Sequence, residues 1–297
     1  QKGRTPSWQI MNIIILGHTG FIGSNIYQYL SSTGEYNVIG ISTNEIDLTK
    51  VNSHQILQQV LTSDCIVIIC AGIKKQLEDN LESFEKNIAI VNNSIRAISK
   101  VNPEKIIYFS SCSVYGEDVN YHGKISEESP VHLRTYYGIS KYTAECLLEK
   151  NSTDLQIPLT ILRPPLIYGR DDLSRGYGPT GFTYKAENNE EIILWGAGNE
   201  FREFIYVDDI GRTVKRLINN DYCGILNLVS GQSHTYKEIV YLLHEIIGSN
   251  IKVISHQRTK EKVNHHFSSK LIHNVLGDFE FTSLKNGLRK MHRSIIN

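Results

Sequence analysis

The chain lacks a net charge. Its 297 residues carry 31 Lys and Arg against 31 Asp and Glu, so no electrostatic footprint calls for nucleic acid or an anionic membrane. It also lacks any apolar run near the roughly 18 residues that suggest a bilayer span, and no signal peptide is apparent. Together these absences predict a cytoplasmic protein. Its five cysteines (65, 70, 112, 146 and 223) show no metal-ligand spacing. Three fall in apolar strand or helix patterns and read as reduced core thiols. His265-His266 is an isolated pair and reads as a solvated loop, so no metal site is expected. No repeat or low-complexity segment is present.

What the sequence does have is enough apolar content for a core, 40% hydrophobic residues, and a regular alternation of short apolar runs with helical patterns. Runs at 12–16, 37–41, 65–70, 105–110 and 159–163 read as buried strands, which implies right-handed βαβ units and a parallel sheet. The predicted fold is α/β, a Rossmann-type doubly wound parallel sheet with a smaller C-terminal substrate-binding lobe. Residues 11–165 form the dinucleotide-binding domain, and 205–230 return to it through a helix over Tyr206–Ile218 and a strand over Ile225–Val229. Residues 166–204 are glycine-rich and irregular, and with 231–297 make the lobe. Thr235-Tyr-Lys-Glu238 reads as a capping box opening a helix through Ile247, and Leu284–Ile296 closes the chain as a helix. Gln1–Ile10 lacks periodicity, precedes a Met11 that reads as an initiator, and is taken as an extension.

Gly17-His18-Thr19-Gly20-Phe21-Ile22-Gly23 follows the first strand directly and opens a helix whose apolar residues recur at Ile22, Ile26, Tyr27 and Leu30. Strand, glycine turn and helix are the context in which such a pattern holds a dinucleotide pyrophosphate. Glycines let backbone amides approach the phosphates, and the helix N-terminus adds partial positive charge. Gly17, Thr19, Gly20, Phe21, Ile22 and Gly23 are therefore candidate cofactor contacts. After the second strand come Ser42-Thr43-Asn44, with no carboxylate at the position that usually binds the adenine ribose. A carboxylate there would repel a 2′-phosphate, so its absence tilts the cofactor toward NADP, with Ser42 facing the ribose and NAD as the alternative. His18 offers a further donor or positive charge.

Ser111 lies at the C-terminal end of the strand over Glu104–Ser110, where open parallel sheets place their ligands. Tyr137 and Lys141 stand four apart on a predicted helix and share one face. Tyrosine titrates near pH ~10, so work as a base near neutrality needs a shift of roughly 3 units, about 4 kcal/mol. The Lys141 ammonium and a positive nicotinamide could supply it. Ser111 would hydrogen-bond the reacting oxygen, Tyr137 would carry the proton, and Lys141 would hold the nicotinamide ribose.

With these elements in this order, the chain resembles the extended short-chain dehydrogenase/reductase family of NAD(P)-dependent nucleotide-sugar epimerases, dehydratases and reductases, over about residues 11–292. Phe109-Ser-Ser-Cys-Ser-Val-Tyr-Gly116 matches the family's strand-end segment, with Ser111 as its catalytic hydroxyl. The resemblance implies cofactor contacts at Ala71, Gly72 and Lys74, at Asn87 in the next helix, at Asp47 and Leu48 near the adenine, and at Pro164. Gly196–Asp209 matches the segment whose arginine reaches the sugar nucleotide, which assigns Arg202 to the diphosphate. Pairing of Arg202 with Glu200 or Glu203 is the plainer alternative. It also implies a nucleotide-diphosphate sugar as substrate and a homodimer.

Three departures narrow the chemistry. Sugar 4,6-dehydratases carry an Asp-Glu pair where Cys112 and Ser113 stand. GDP-fucose synthases use a cysteine where Ser113 stands and a histidine that Asp171–Gly181 lacks. Leu166 replaces the family's substrate-facing asparagine. The expected function is therefore NADP(H)-preferring reduction of a 4-keto nucleotide sugar for deoxysugar or surface-polysaccharide precursors. The rivals are an NAD-retaining 4-epimerase, favoured by Lys74 in Ala-Gly-Ile-Lys, and a non-catalytic dinucleotide-binding redox sensor.

Overall fold

The structure is a computed structural model and describes residues 10–248 and 251–296. Apart from Ile10, the N-terminal extension lies outside them. Six strands, β1 (Met11–Leu16), β2 (Tyr36–Ile41), β3 (Cys65–Ile69), β4 (Lys105–Phe109), β5 (Leu159–Arg163) and β9 (Gly224–Asn227), form one parallel sheet in the order β2-β1-β3-β4-β5-β9. Successive side chains point to opposite faces, and both faces are covered. Ile13 and Ile15 pack with helices α1 (Phe21–Thr33), α6 (Asp208–Ile218) and α8 (Lys270–Leu276). Ile14 and Leu16 pack with α2 (Ser53–Val60), α3 (Leu81–Val101) and α4 (Tyr136–Leu155). A strand buried on both sides has no polar face to show, which is why these runs read as continuously apolar. Each fully buried Ile or Leu stabilises the fold by about 1.5–3 kcal/mol. The order reverses between β1 and β3, and open sheets bind ligands beyond that point.

Residues 166–204 are more ordered than their glycines suggest. They hold β6 (Leu166–Tyr168), α5 (Pro179–Glu187), β7 (Ile192–Trp195) and most of β8 (Phe201–Tyr206). Strand β8 lies between β6 and β10 (Ser233–Thr235), and β7 pairs with β11 (Val253–His256). These strands are short and their partners distant in sequence, so local periodicity does not expose them. For the same reason Tyr206, read as the start of a helix, instead ends β8, and α6 begins at Asp208. Helices α7 (Tyr236–Ile247) and α9 (Leu284–Ile296) join α5 around a separate apolar cluster. Thr235 caps α7 through the Glu238 amide at 3.1 Å. The Glu238 carboxylate, expected to complete the box, meets His234 instead.

Candidate active site

Gly17 leaves β1 with φ +87°, and a Cβ there would come within 2.7 Å of the Ala71 amide nitrogen. A Cβ on Gly23 would overlap the Gly17 carbonyl. Both glycines are thus required for the first helix to pack against the ends of β1 and β3. No side chain caps α1 at Gly20, which leaves its N-terminal amides and dipole to the mouth of the loop. Thr19 and Gly20 are exposed there, with Phe21 and Ile22 half-buried behind them. This is a cradle a dinucleotide pyrophosphate fits.

At the end of β2 the structure corrects the premise behind the NADP reading. Glu45, three residues past the expected position, folds back so that its carboxylate accepts from the Ser42 amide at 2.7 Å and the Ser42 hydroxyl at 2.6 Å. Those two bonds hold Glu45 below the usual carboxylate range, and His18 adds to the effect. A carboxylate therefore does stand at the strand end, tethered by the serine that sequence reasoning placed there alone. His18 packs its ring over Gly40, where any Cβ would collide with it, and beside Tyr27. Asp47 accepts from the amide and hydroxyl of Thr49, and Leu48 is buried beneath it.

The catalytic candidates converge at the ends of β4 and β3. Thr135 caps α4 by accepting from the Gly138 amide. A Cβ on Gly138 would lie 3.1 Å from the Ser113 carbonyl, so glycine lets the helix start press against the turn that follows Ser111. Burial pushes the Tyr137 phenol up to about 12, with the Glu117 charge adding to the rise and the nearby Ser111 hydroxyl opposing it. The downward shift expected from Lys141 is absent: desolvation of the phenol dominates, and the protein's own groups keep Tyr137 protonated. Lys141 is buried, donates to the Phe109 carbonyl at 2.7 Å, and lies 5.8 Å from the Tyr137 ring centre. Burial pushes its ammonium down to about 8. Tyr136, by contrast, faces solvent beside Phe84.

Asn87 spends its side chain on neighbours, accepting from the Ile73 amide and donating to the Ile73 carbonyl and Ser140. It holds the loop that presents Ala71 and Gly72, so it stands behind the cofactor wall. A Cβ on Gly72 would be 3.6 Å from the Lys141 ammonium. Beyond Gly72 the loop crosses the cleft. Lys74 pairs with Asp172 at 3.1 Å and lies 5.3 Å over the Phe21 ring. Lys75 pairs with Glu117 at 2.6 Å, and Asp79 accepts from the Tyr137 amide. Pro164, at the end of β5, accepts from the Cys112 amide.

Arg202 lies on β8 with its guanidinium committed. It pairs with Glu200 at 3.0 Å and donates to the Phe201 and Val263 carbonyls. Glu200 also pairs with Arg258. Of the two alternative partners read from the sequence, Glu200 is the one engaged. The pair is largely buried rather than on the surface, so Arg202 is fixed in place beside a second arginine. Glu203 faces away, accepting from the Ser230 and Gly231 amides.

The sequence model of the NAD dependent epimerase/dehydratase family matches residues 13–228. The chain belongs to this family. A GDP-6-deoxy-D-talose 4-dehydrogenase of Aggregatibacter actinomycetemcomitans is 27% identical over 298 residues, covering 96% of this chain and 98% of that protein. An undecaprenol-linked N-acetylglucosamine 4-epimerase of Escherichia coli O157:H7 is 23% identical, covering 81% of this chain and 73% of its own. Among solved structures, a UDP-glucuronic acid 4-epimerase of Bacillus cereus superposes with TM-score 0.83 at 21% identity, covering 96% of this chain and 99% of that one. The last likeness establishes the Rossmann-type fold. Among the described residues no helix is long and apolar enough to cross a membrane, and no group of His, Cys, Asp and Glu is placed to hold a metal.

Proposed function

We propose that this chain interconverts a hydroxyl and a ketone at C4 of a nucleotide-diphosphate sugar, in the reductive direction as a 4-ketoreductase. The observation that supports it most is Tyr137, kept protonated beside Ser111, with the Lys141 ammonium near its ring. When bound, the nicotinamide supplies or accepts the hydride. Tyr137 donates its proton to the oxygen as negative charge develops there, and Ser111 polarises the same oxygen. Lys141 stabilises the phenolate that is left. The near-full-length likeness to a 4-dehydrogenase agrees with net redox. Water elimination is disfavoured, because the Cys112 thiol donates to the Arg163 carbonyl and is pushed far up by burial.

For the cofactor we infer NAD(H) rather than NADP(H), because the Glu45 carboxylate would accept from ribose hydroxyls and repel a 2′-phosphate. The second reading, a 4-epimerase that keeps its NAD, draws on the Lys74–Asp172 bridge. That bridge joins the β3 loop to the segment after β6 across Phe21, an arrangement suited to retaining a dinucleotide.

The test is mass spectrometry of nucleotide released from the purified protein, followed by turnover of 4-keto GDP, CDP, dTDP and UDP sugars with NADH and NADPH. Consumption of NADH supports the reductase. Tightly held NAD with sugar interconversion and no net consumption moves the assignment to the epimerase, and binding with no turnover to the redox sensor. Glu45→Gln should shift the affinity ratio several-fold toward NADPH in fluorescence titrations. An unchanged ratio would remove Glu45 from the ribose.

A further inference from the structure

The turn after β2 is built around one side chain, Ser42, whose polar groups are all engaged within the turn. Its amide and its hydroxyl both donate to the Glu45 carboxylate, at 2.7 and 2.6 Å. Its hydroxyl oxygen accepts from the Asn44 amide at 3.2 Å, and its carbonyl accepts from the Ile46 amide at 2.9 Å. Ser42 is 6% exposed and forms the floor of the turn, with Glu45 exposed above it. The glycine loop is tied to the same place. The Gly17 amide donates to the Ile41 carbonyl at 2.7 Å, and His18, whose ring lies over Gly40, is close enough to help hold Glu45 ionised.

An ionised carboxylate accepts at about four lone-pair sites, two on each oxygen. Both Ser42 donors fall on Glu45 Oε2, which fills that oxygen and leaves Oε1 free of the serine. The other carboxylate of this loop is committed elsewhere. Asp47 Oδ1 accepts from the amide and hydroxyl of Thr49, and Oδ2 lies 3.9 Å from the Lys50 ammonium. An untethered surface glutamate spreads over many rotamers, and fixing it on binding costs side-chain entropy. Ser42 fixes Glu45 in the free protein, so the carboxylate stands in one pose at the strand end before a dinucleotide arrives.

We propose that Ser42 is a positioning residue for cofactor choice: it holds Glu45 by Oε2, leaves Oε1 for the adenine ribose hydroxyls, and makes no contact with the dinucleotide itself. The proposal rests on the reading of Glu45 as the group that favours NAD(H). It replaces the sequence expectation that the Ser42 hydroxyl faces the ribose, because that hydroxyl is already spent on Glu45 and Asn44. The tether acts on both cofactors. Ribose hydroxyls meet an acceptor that needs no ordering, whereas a 2′-phosphate meets a negative charge that is not free to swing aside. Displacing Glu45 would strip the buried Ser42 hydroxyl of its acceptor, and an unpaired buried donor is costly. Discrimination therefore comes from the pair, with the serine setting where the glutamate charge stands.

Ser42→Ala removes the hydroxyl and keeps the amide bond, so the turn persists while the tether loosens. In fluorescence titrations it should weaken NADH binding roughly 5-fold, the scale of one hydrogen bond, with NADPH nearly unchanged. In a Glu45→Gln background the same substitution should leave the NADH/NADPH ratio where Glu45→Gln put it, because the serine acts only through the carboxylate. A measurement without cofactor completes the test: the Glu45 carboxyl titration, followed by 13C NMR of labelled glutamate and assigned with Glu45→Gln. Ser42→Ala should move it up toward the ordinary carboxylate range, since the serine hydroxyl is the largest influence holding it down. An unmoved titration would overturn the proposal. So would a wild-type ratio in Ser42→Ala beside a shifted ratio in Glu45→Gln, which leaves the NAD(H) reading standing. A full Ser42→Ala effect in the Glu45→Gln background would show instead that the serine touches the ribose. An unshifted ratio in Glu45→Gln alone would remove the reading of Glu45, and the positioning role with it.

Discussion

Tyr137 holds its proton more tightly than free tyrosine because the phenol is desolvated and faces the Glu117 charge. That keeps the phenol in the protonated form that reduction needs but makes it a weaker acid than free tyrosine, so the neighbouring Lys141 ammonium has to stabilise the phenolate for the proton to leave. Tyr137→Phe should retain dinucleotide affinity and lose at least ~10²-fold in kcat, the lower end for a positioned acid or base. Paired fluorescence titration and turnover assays check this. Near-normal turnover would transfer the role elsewhere, and the exposed Tyr136 is poorly placed to take it. At this scale Ser111, Tyr137 and Lys141 were readable because a strand end and one helical turn set their spacing. Glu45 and Glu117 were not, since each reaches its place through a loop that no periodicity describes.

Helix α4 carries three buried or half-buried polar side chains one turn apart. Tyr137 and Lys141 face the cleft, and Glu145, one turn further, anchors the helix. Glu145 accepts from Arg163 Nε at 3.0 Å and Nη2 at 2.6 Å, and from the Ser110 hydroxyl. Arg163 also donates to the Tyr115 hydroxyl, which in turn donates to Asn227. One carboxylate thus ties α4 to the residue before Ser111 and to the residue before Pro164, with both charges about 2–3% exposed. Replacing such a pair with apolar residues is often tolerated, but removing one partner strands the other in a low dielectric. Glu145→Ala should therefore cost about 3–5 kcal/mol, read as a lower denaturant midpoint with an unchanged m-value. A loss below about 1 kcal/mol would mean that water reaches Arg163 freely. The sequence marks Glu145 and Arg163 only as charges inside apolar patterns. Their pairing follows from α4 crossing β5.

Two buried groups outside the cleft set opposing pH dependences for the whole molecule. Glu203 is 1% exposed, has one carboxylate oxygen without a partner, and is pushed up to about 7 by burial. Its folded state holds the proton more tightly than the unfolded chain, so its contribution is complete below about 4.5 and is lost as pH rises through 7. His265, buried against the Val119 carbonyl, is pushed down to about 4. Its contribution is complete above about 6.5 and is lost as pH falls toward 4. Between 4.5 and 6.5 the two oppose each other, and from 6.5 to 7 Glu203 acts alone. Glu203→Gln should remove a decline of up to about 3 kcal/mol between pH 4.5 and 7.5, at ~1.4 kcal/mol per unit. Urea midpoints of variant and wild type across that range check it. Parallel curves would show that Glu203 is ionised in the folded protein throughout.

The sequence by itself determined the nucleotide-binding half. Its strands are buried on both faces and its glycines are forced by close backbone approach, so both constraints act over a few neighbouring residues and leave local patterns. The glycine loop, the Ser111 strand end and the Tyr137/Lys141 helix all belong to that class. Tertiary structure alone decided the rest. The short strands of the lobe exist only as paired partners far apart in the chain. Arg202 is committed to Glu200 because β8 and the segment before Phe267 come together. The carboxylate at the end of β2, the bridge from Lys74 to Asp172, and the bridge from Lys75 to Glu117 arise from loops whose courses are set by what they pack against. Such charges are placed by long-range geometry, and a sequence pattern records only that they are present.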